Sequence, residues 1–340
     1  MSTQLDCSIG FAKEATYGTY TAPDHYTEFT AEDFDYNPTF VQGAGMRVGT
    51  KFDAADRDIV TKIEANGSMT VESLSKGLGA LFEAALGTAV STKIDETDAY
   101  QQLITPAAND FLPSYTVQKG IPLLGGGIQA QTFLGAVCSG FDLTVGNAAI
   151  PTIKFSFLGR EFVTSEAYAA ASYPAGIEEL TFVGGSIAVG GTVVPPTATA
   201  LATGGTQVAN IREVSATYDN GLDGNGFNLG GQGRRTRKPA LGKRTLTGSL
   251  TAEYDSNDFR DAYLSQEQMS LLLEFQGITE IDTDIVPTLQ LVIPAIKLRG
   301  QVPQANAGDV VAQTIPFTTF FNRASSEAVY VAIVTGETAL

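Results

Sequence analysis

The sequence predicts a mainly β protein: two tandem β-sandwich or β-barrel domains, each with one flanking α-helix. Three observations carry that reading. Apolar and polar residues alternate with period two in many short segments, two stretches have helical spacing, and a Gly-rich stretch returns 181 residues later.

The alternation comes first. "FDLTV" sets Phe141, Leu143 and Val145 against Asp142 and Thr144, and "TIKFSF" does the same with Ile153, Phe155 and Phe157. "AIKLRGQV" places Ile296 and Leu298 opposite Lys297 and Arg299. These read as half-buried antiparallel strands, because successive side chains of a strand point to opposite faces. "AVYVAIV", Ala328 to Val334, is continuously apolar and reads as a strand covered on both faces.

Two helices interrupt the strands. In "SLSKGLGALFEAALG", Leu78, Leu81, Phe82, Ala85 and Leu86 recur at i, i+3, i+4, i+7 and i+8. Ser73 or Ser75 is the expected N-cap and Gly87 the expected end. "DSNDFRDAYLSQEQ", Asp255 to Gln268, puts Phe259, Ala262 and Tyr263 on one face, with Asp255 or Ser256 as its cap. "SEAYAAASYPAG", Ser165 to Gly176, has linker composition and divides the chain into domains 1–170 and 171–340. "VGGTVVPPTATALATGGTQ", Val189 to Gln207, reads as a loop or mobile excursion.

The repeat links the halves. Without gaps from 41 to 82, Gly43, Gly45, Gly49, Lys62, Gly67, Ser68, Thr70 and Glu72 fall on Gly224, Gly226, Gly230, Lys243, Gly248, Ser249, Thr251 and Glu253. "GSMTVES" lies on "GSLTAEY", and a helix follows in both. The expected order is a Gly-rich turn launching a long arm, then a strand, then a helix. The arms span 43–66 and 224–247.

Composition narrows the function. Of 340 residues, 43% are hydrophobic, enough for a sizeable core, but only 17% are charged. A surface so poor in charge is expected to be buried in an assembly. The net charge of −16 argues against gripping nucleic acid, since phosphate binding requires Lys and Arg. It does not exclude a conduit that must avoid sticking to DNA. Cys7 and Cys138 form neither a disulfide framework nor a metal spacing. The N-terminal segment lacks the basic and apolar regions of a signal peptide, and no apolar run reaches membrane-helix length, so a cytoplasm-like setting and no membrane are expected.

Catalytic and binding motifs are missing from the sequence. His25, the single histidine, reads as a solvated loop residue. "LGKRT" has Arg244 where a P-loop requires Ser or Thr, and the two Gly-rich turns miss the dinucleotide spacing. Their glycines, Gly43, Gly45, Gly49, Gly224, Gly226 and Gly230, read as tight turns needing positive φ. "DNGLDGNGFN", Asp219 to Asn228, offers oxygens for calcium but has Gly230 at the twelfth position, not the bidentate Glu. No catalytic residue, cofactor site or metal site is expected, and the protein is not read as an enzyme. One charge feature stands out. Arg234, Arg235, Arg237, Lys238, Lys243 and Arg244 are six basic residues in eleven. Acidic residues crowd the first copy: Glu28, Glu32, Asp33, Asp35, Asp53, Asp56 and Asp58. The basic run reads either as a solvated loop or as an arm meeting an acidic surface of a neighbouring subunit.

Several phrases, in order, carry a resemblance: "IGFAKEATYGTYTAP", "TEFTAEDF", "GSMTVESLSKGLGALFEAALG", "YPAGIEELTFVGGSIAVGG", "SATYDNGLDG", "RRTRKP", "LTGSLTAEYDS" and "VVAQTIPFTTFF". Together they resemble the major tail tube proteins of long, non-contractile-tailed bacteriophages. The resemblance implies a virion protein, assembled in the host cytoplasm, that stacks as rings around an acidic lumen for genome passage. Its implied partners are further copies of itself, the tape measure protein, the tail terminator and the distal tail protein, with double-stranded DNA in transit and not specifically bound. A tandem chain implies a trimeric, pseudo-sixfold ring, with a hexamer as the alternative. Asp53, Asp56 and Asp58 and the six basic residues are the expected contacts between rings. A tail terminator, a distal tail protein and a carbohydrate-binding β-sandwich are the competing readings.

Overall fold

A computed structural model describes residues 3–49, 51–300, 302, 312–338 and 340. The first half contributes β1 (Ser8–Lys13), β2 (His25–Tyr26), β3 (Ala31–Glu32), β4 (Asn37–Gln42), β5 (Asp58–Glu64), β6 (Gly67–Glu72), α1 (Leu78–Leu86), β7 (Gly87–Lys93), β8 (Tyr100–Pro106), β9 (Tyr115–Pro122), β10 (Ile128–Val145), β11 (Thr152–Leu158) and β12 (Glu161–Val163). The second contributes β13 (Gly185–Val189), β14 (Val193–Val194), β15 (Thr203–Gly204), β16 (Ile211–Asp219), β17 (Thr245–Glu253), α2 (Asp258–Ser265), β18 (Met269–Gln276), β19 (Thr288–Leu298), β20 (Ala312–Thr319) and β21 (Tyr330–Thr335). The fold is mainly β with β-sandwich domains, as the alternation predicts.

The strand ladders repeat. In the first half β1 pairs β9, β9 pairs β10, and β12 lies on the other flank of β10. The 18-residue β10 shifts register between Cys138 and Gly140 and enters a second sheet, in the order β10–β11–β6–β3. Bulges of this kind bend a strand and let it serve two sheets. In the second half β13–β18–β19, flanked by β21, repeats the first set, and β19–β20–β17–β16 repeats the second. The β7–β8 hairpin stands only in the first half, between α1 and β9. That insertion throws the copies out of step beyond the helix.

The halves are knitted together across the linker. β10 pairs β16 with Phe141 opposite Tyr218, so one sheet runs from β3 in the first half to β19 in the second. The inserted hairpin pairs β21 with Ile104 opposite Val331. Gly140 sits at the first joint, where a Cβ would lie 2.0 Å from the Tyr218 carbonyl oxygen, so only glycine lets the two backbones approach.

One apolar cluster joins Phe82, Phe141 and Phe155 of the first half to Phe275, Leu291 and Val331 of the second. The Phe82 ring meets Phe141 and Phe155 edge-on, both at 5.3 Å between centroids, the geometry that ring quadrupoles favour. As predicted, Phe141, Leu143, Val145, Ile153, Phe155 and Phe157 all face this core.

Three local expectations are corrected. Neither Ser73 nor Ser75 caps α1; Gly77, in the left-handed region at φ 81°, precedes it, and the Gly77 N–H donates to Glu337 Oε2 at 2.8 Å. Ser75 Oγ instead accepts the Glu178 N–H. α2 spans only Asp258–Ser265; its N-cap residue Asn257 makes no side-chain cap bond, while Ser256 Oγ accepts the Asp258 N–H at 3.4 Å. The stretch 189–207 forms the small β14–β15 hairpin, whose connecting loop docks on the sheet through Ala202 N–H to Gln290 Oε1 at 2.8 Å. Stretch 165–176 has no helix or strand but lies against β9, with Ala169 N–H donating to Gln118 Oε1 at 2.8 Å.

Candidate assembly surface

The first arm is a β-hairpin that starts at Asn37, ahead of the expected 43–66, so the Gly-rich stretch 43–49 lies in its turn and does not launch it. β4 and β5 pair only with each other, placing Phe40 opposite Val60 and Val41 opposite Ile59. All four side chains are exposed, and beyond them Met46 and Val48 lie fully open to solvent. A two-stranded hairpin is marginal by itself, and clustered exposed apolar groups mark an interaction surface. Asp53, Asp56 and Asp58 stand exposed on the return path, and none forms an ion pair among the described residues. At the tip the Arg57 guanidinium donates to the Gly45 carbonyl, and Gly43 N–H donates to the Arg57 carbonyl at 3.0 Å.

The second arm, expected over 224–247, lies between β16 and β17 at 220–244 and folds down onto the body and onto the stem of the first. Arg235 is its centre and is 1% exposed. Its Nη2 donates to Glu64 Oε1, its Nη1 to the Gly159 carbonyl at 2.5 Å, and its Nε to the Gly224 carbonyl at 2.9 Å. The guanidinium also lies 5.0 Å from the centroid of Phe227. A buried guanidinium is tolerated only with its charge and donors matched this way. Gly233 carbonyl accepts the Ile63 N–H at 2.7 Å, and Lys62 lies over the Phe227 ring at 4.6 Å. The two repeated arms therefore touch within one chain.

The other predicted basic residues find separate places. Arg234 pairs with Glu161 at 3.0 Å. Arg237 pairs with Asp223, holding that carboxyl below the usual carboxylate range. Lys238 donates to the Leu112 carbonyl at 3.0 Å, and burial lowers the pKa of its ammonium. Arg244 donates to the Ala107 carbonyl at 2.6 Å, while Lys243 is exposed. The oxygens of 219–228 serve as loop caps: Asp219 accepts Gly221 N–H at 2.7 Å and Asp223 accepts Asn225 N–H at 3.0 Å.

The glycine expectation holds at three positions. Gly49 and Gly230, equivalent in the repeat, have φ of 97° and 89°, and Gly226 has 126°. Gly43, Gly45 and Gly224 have no positive φ, and a Cβ at Gly45 would meet only the mobile end of the Arg57 side chain, so neither reason requires glycine there. His25 is not a solvated loop residue. It lies in β2, stacks on Phe11 at 5.7 Å, and bonds Asp24 at 2.6 Å and the Leu340 carbonyl.

Three organising residues escaped the sequence reading. Glu14 is buried and accepts Gly18 N–H and Gly135 N–H, both at 2.8 Å. Asn220, fully buried, ties α1 to the arm through the Ala85 carbonyl at 2.7 Å. Lys119 is buried against Glu32 at 3.0 Å. The only signal for Glu14 was its place in the phrase "AKEATYG".

A comparison with curated proteins finds no match. Residues 4–319 match the family described as phage tail tube protein. The match takes in both copies of the repeat and both arms, and the chain belongs to the phage tail tube protein family.

Proposed function

We propose that this phage tail structural protein polymerises as stacked rings into the tube of a long, non-contractile tail. Three chains complete each ring with pseudo-sixfold symmetry, around an acidic lumen that passes the genome during ejection. The observation that carries this reading is the repeated ladder, already joined edge to edge once inside the chain by β10 and β16. A head-to-tail contact that repeats the same joint closes into a ring or runs on as a filament. The net charge of −16 keeps DNA from adhering in transit.

In this reading the exposed hairpin 37–64 reaches the adjacent ring, with Asp53, Asp56 and Asp58 at its acidic end. Arg234, Arg237, Lys238, Lys243 and Arg244 are the second arm's candidates for contact with that end, and Arg235 supports them from inside. The tape measure protein, tail terminator and distal tail protein are the other proposed partners, with assembly in the host cytoplasm. No catalysis is assigned.

Electron microscopy of the purified chain tests the proposal. Long tubes with three chains per ring are expected. Six chains in a true sixfold ring would overturn the trimer, and single rings that never stack would favour a tail terminator or distal tail protein.

A further inference from the structure

The first half holds the second arm in a seat that the second half repeats with other side chains. In the first half the seat is the exit of β11 with the stem of the first arm. Arg160 Nε donates to the Arg235 carbonyl at 3.1 Å, Arg235 Nη1 reaches the Gly159 carbonyl, and Lys62 lies over the Phe227 ring. The ladders locate the equivalent residues. Phe157 faces Gly67 as Phe317 faces Gly248. Further along, Phe320 N–H bonds the Ala295 carbonyl as Arg160 N–H bonds the Leu134 carbonyl, both at 2.9 Å. Phe320 thus holds the place of Arg160, and Lys243 holds that of Lys62. Thr247 opposite Thr318 brings Lys243 to the same end of the sheet as Phe320. Phe320 is 41% exposed and Phe321 62%, and Lys243 is exposed as well.

We propose that Phe320, Phe321 and Lys243 seat the first arm of a second copy of the chain. The second arm already makes this joint inside the chain, and a head-to-tail contact repeats one joint from chain to chain. The chemistry changes on both sides together. Inside the chain the joint is charged, with Glu161 pairing Arg234. In the first arm the shift of 181 residues puts Asp53 at the place of Arg234, and Met46 and Val48, both fully exposed, at those of Phe227 and Leu229. Met46 then comes beside Lys243 as Phe227 does beside Lys62, and Met46 with Val48 gives Phe320 and Phe321 an apolar cover. The rims agree in charge. The Arg299 guanidinium lies 5.8 Å from the Phe320 ring centroid and Arg323 is exposed, while the arm carries Asp53, Asp56 and Asp58. The seat rests on the proposed ring: it holds the arm to the neighbouring chain before the acidic end goes on to the adjacent ring.

Two measurements test it. Met46→Cys chains are mixed with Lys243→Cys chains, both carrying Cys7→Ser, under mild oxidation. A disulfide between the two kinds of chain, joining the peptide around 46 to the peptide around 243, is expected. Phe320→Glu with Phe321→Glu alters exposed side chains, so this variant is expected to fold. Its assembly threshold by sedimentation should rise about tenfold or more, as for the loss of an interface hot spot. Adding Met46→Lys with Val48→Lys should recover most of that rise. Rings seen by microscopy without the cross-link, or a folded Phe320→Glu, Phe321→Glu chain with an unchanged threshold, overturn the seat and leave the ring standing. Absence of rings from the unaltered chain overturns the ring and the seat with it.

Discussion

Arg235 of the second arm and Glu64 of the first form an ion pair in which the guanidinium is sealed from water and the carboxylate is only partly exposed. The pair fixes the stem of an otherwise unsupported hairpin. Removing one partner of such a pair strands the other. Arg235→Met is expected to cost about 3–5 kcal/mol in urea unfolding. Arg235→Lys should not restore the loss, because an ammonium cannot span the Glu64, Gly159 and Gly224 oxygens as the planar fork does.

Gly140→Ala probes the joint between the halves. A methyl group there collides with backbone, not with a side chain that can turn away. A loss of about 3 kcal/mol is expected from this overpacking. Gly49→Ala, at positive φ but with nothing within 4 Å, should cost only about 1 kcal/mol. Thermal melting of the two variants side by side checks the order.

The exposed hairpin predicts a separation of stability from assembly. Phe40→Ser with Ile59→Ser removes side chains that contribute little to the isolated chain, so its melting should shift by no more than about 0.5 kcal/mol. Tube formation, followed by light scattering, should be abolished. Tubes of normal length from this variant would exclude the hairpin from the assembly surface.

Glu337 gives a pH signature. Burial raises the pKa of its carboxyl above the ordinary glutamate value of 4.5, against the smaller opposing pull of the Gly77 N–H. The folded chain thus holds this proton more tightly than the unfolded chain does. The contribution is fully present below pH 4.5 and is lost as pH rises through the raised folded value. Relative to Glu337→Gln, the unaltered chain should lose stability across that rise, read by urea unfolding at stepped pH. A pH-independent difference would show that the carboxyl is not desolvated.

The repeat was legible because Gly67–Glu72 and Gly248–Glu253 lie at nearly the same distance from their helices, within one residue. It faded beyond α1 because the inserted β7–β8 hairpin shifts every later strand, and a gapless comparison cannot follow an insertion. Alternation located the core faces of β10 and β11, since each buries one side. The helix caps were misplaced because a polar residue before a helix signals a cap only where its side chain is not used elsewhere, as Ser75 is by Glu178. Composition marked the basic stretch 234–244 but could not place its centre. Arg235 is one of six similar residues in the sequence, and only the long-range closure onto Glu64 and Gly159 buries it. Lys119 was silent for the same reason: its partners come from Glu32 and Phe34, far away in the chain.

The β8–β21 ladder sets a schedule for folding. Tyr100 faces Thr335, so the inserted hairpin waits for a strand far later in the chain to leave the ribosome before it finds its neighbour. Contacts this distant in sequence slow folding. An early release of the nascent chain strands β7 and β8 beside a missing strand, and quality control meets an open hairpin rather than a shorter version of the protein.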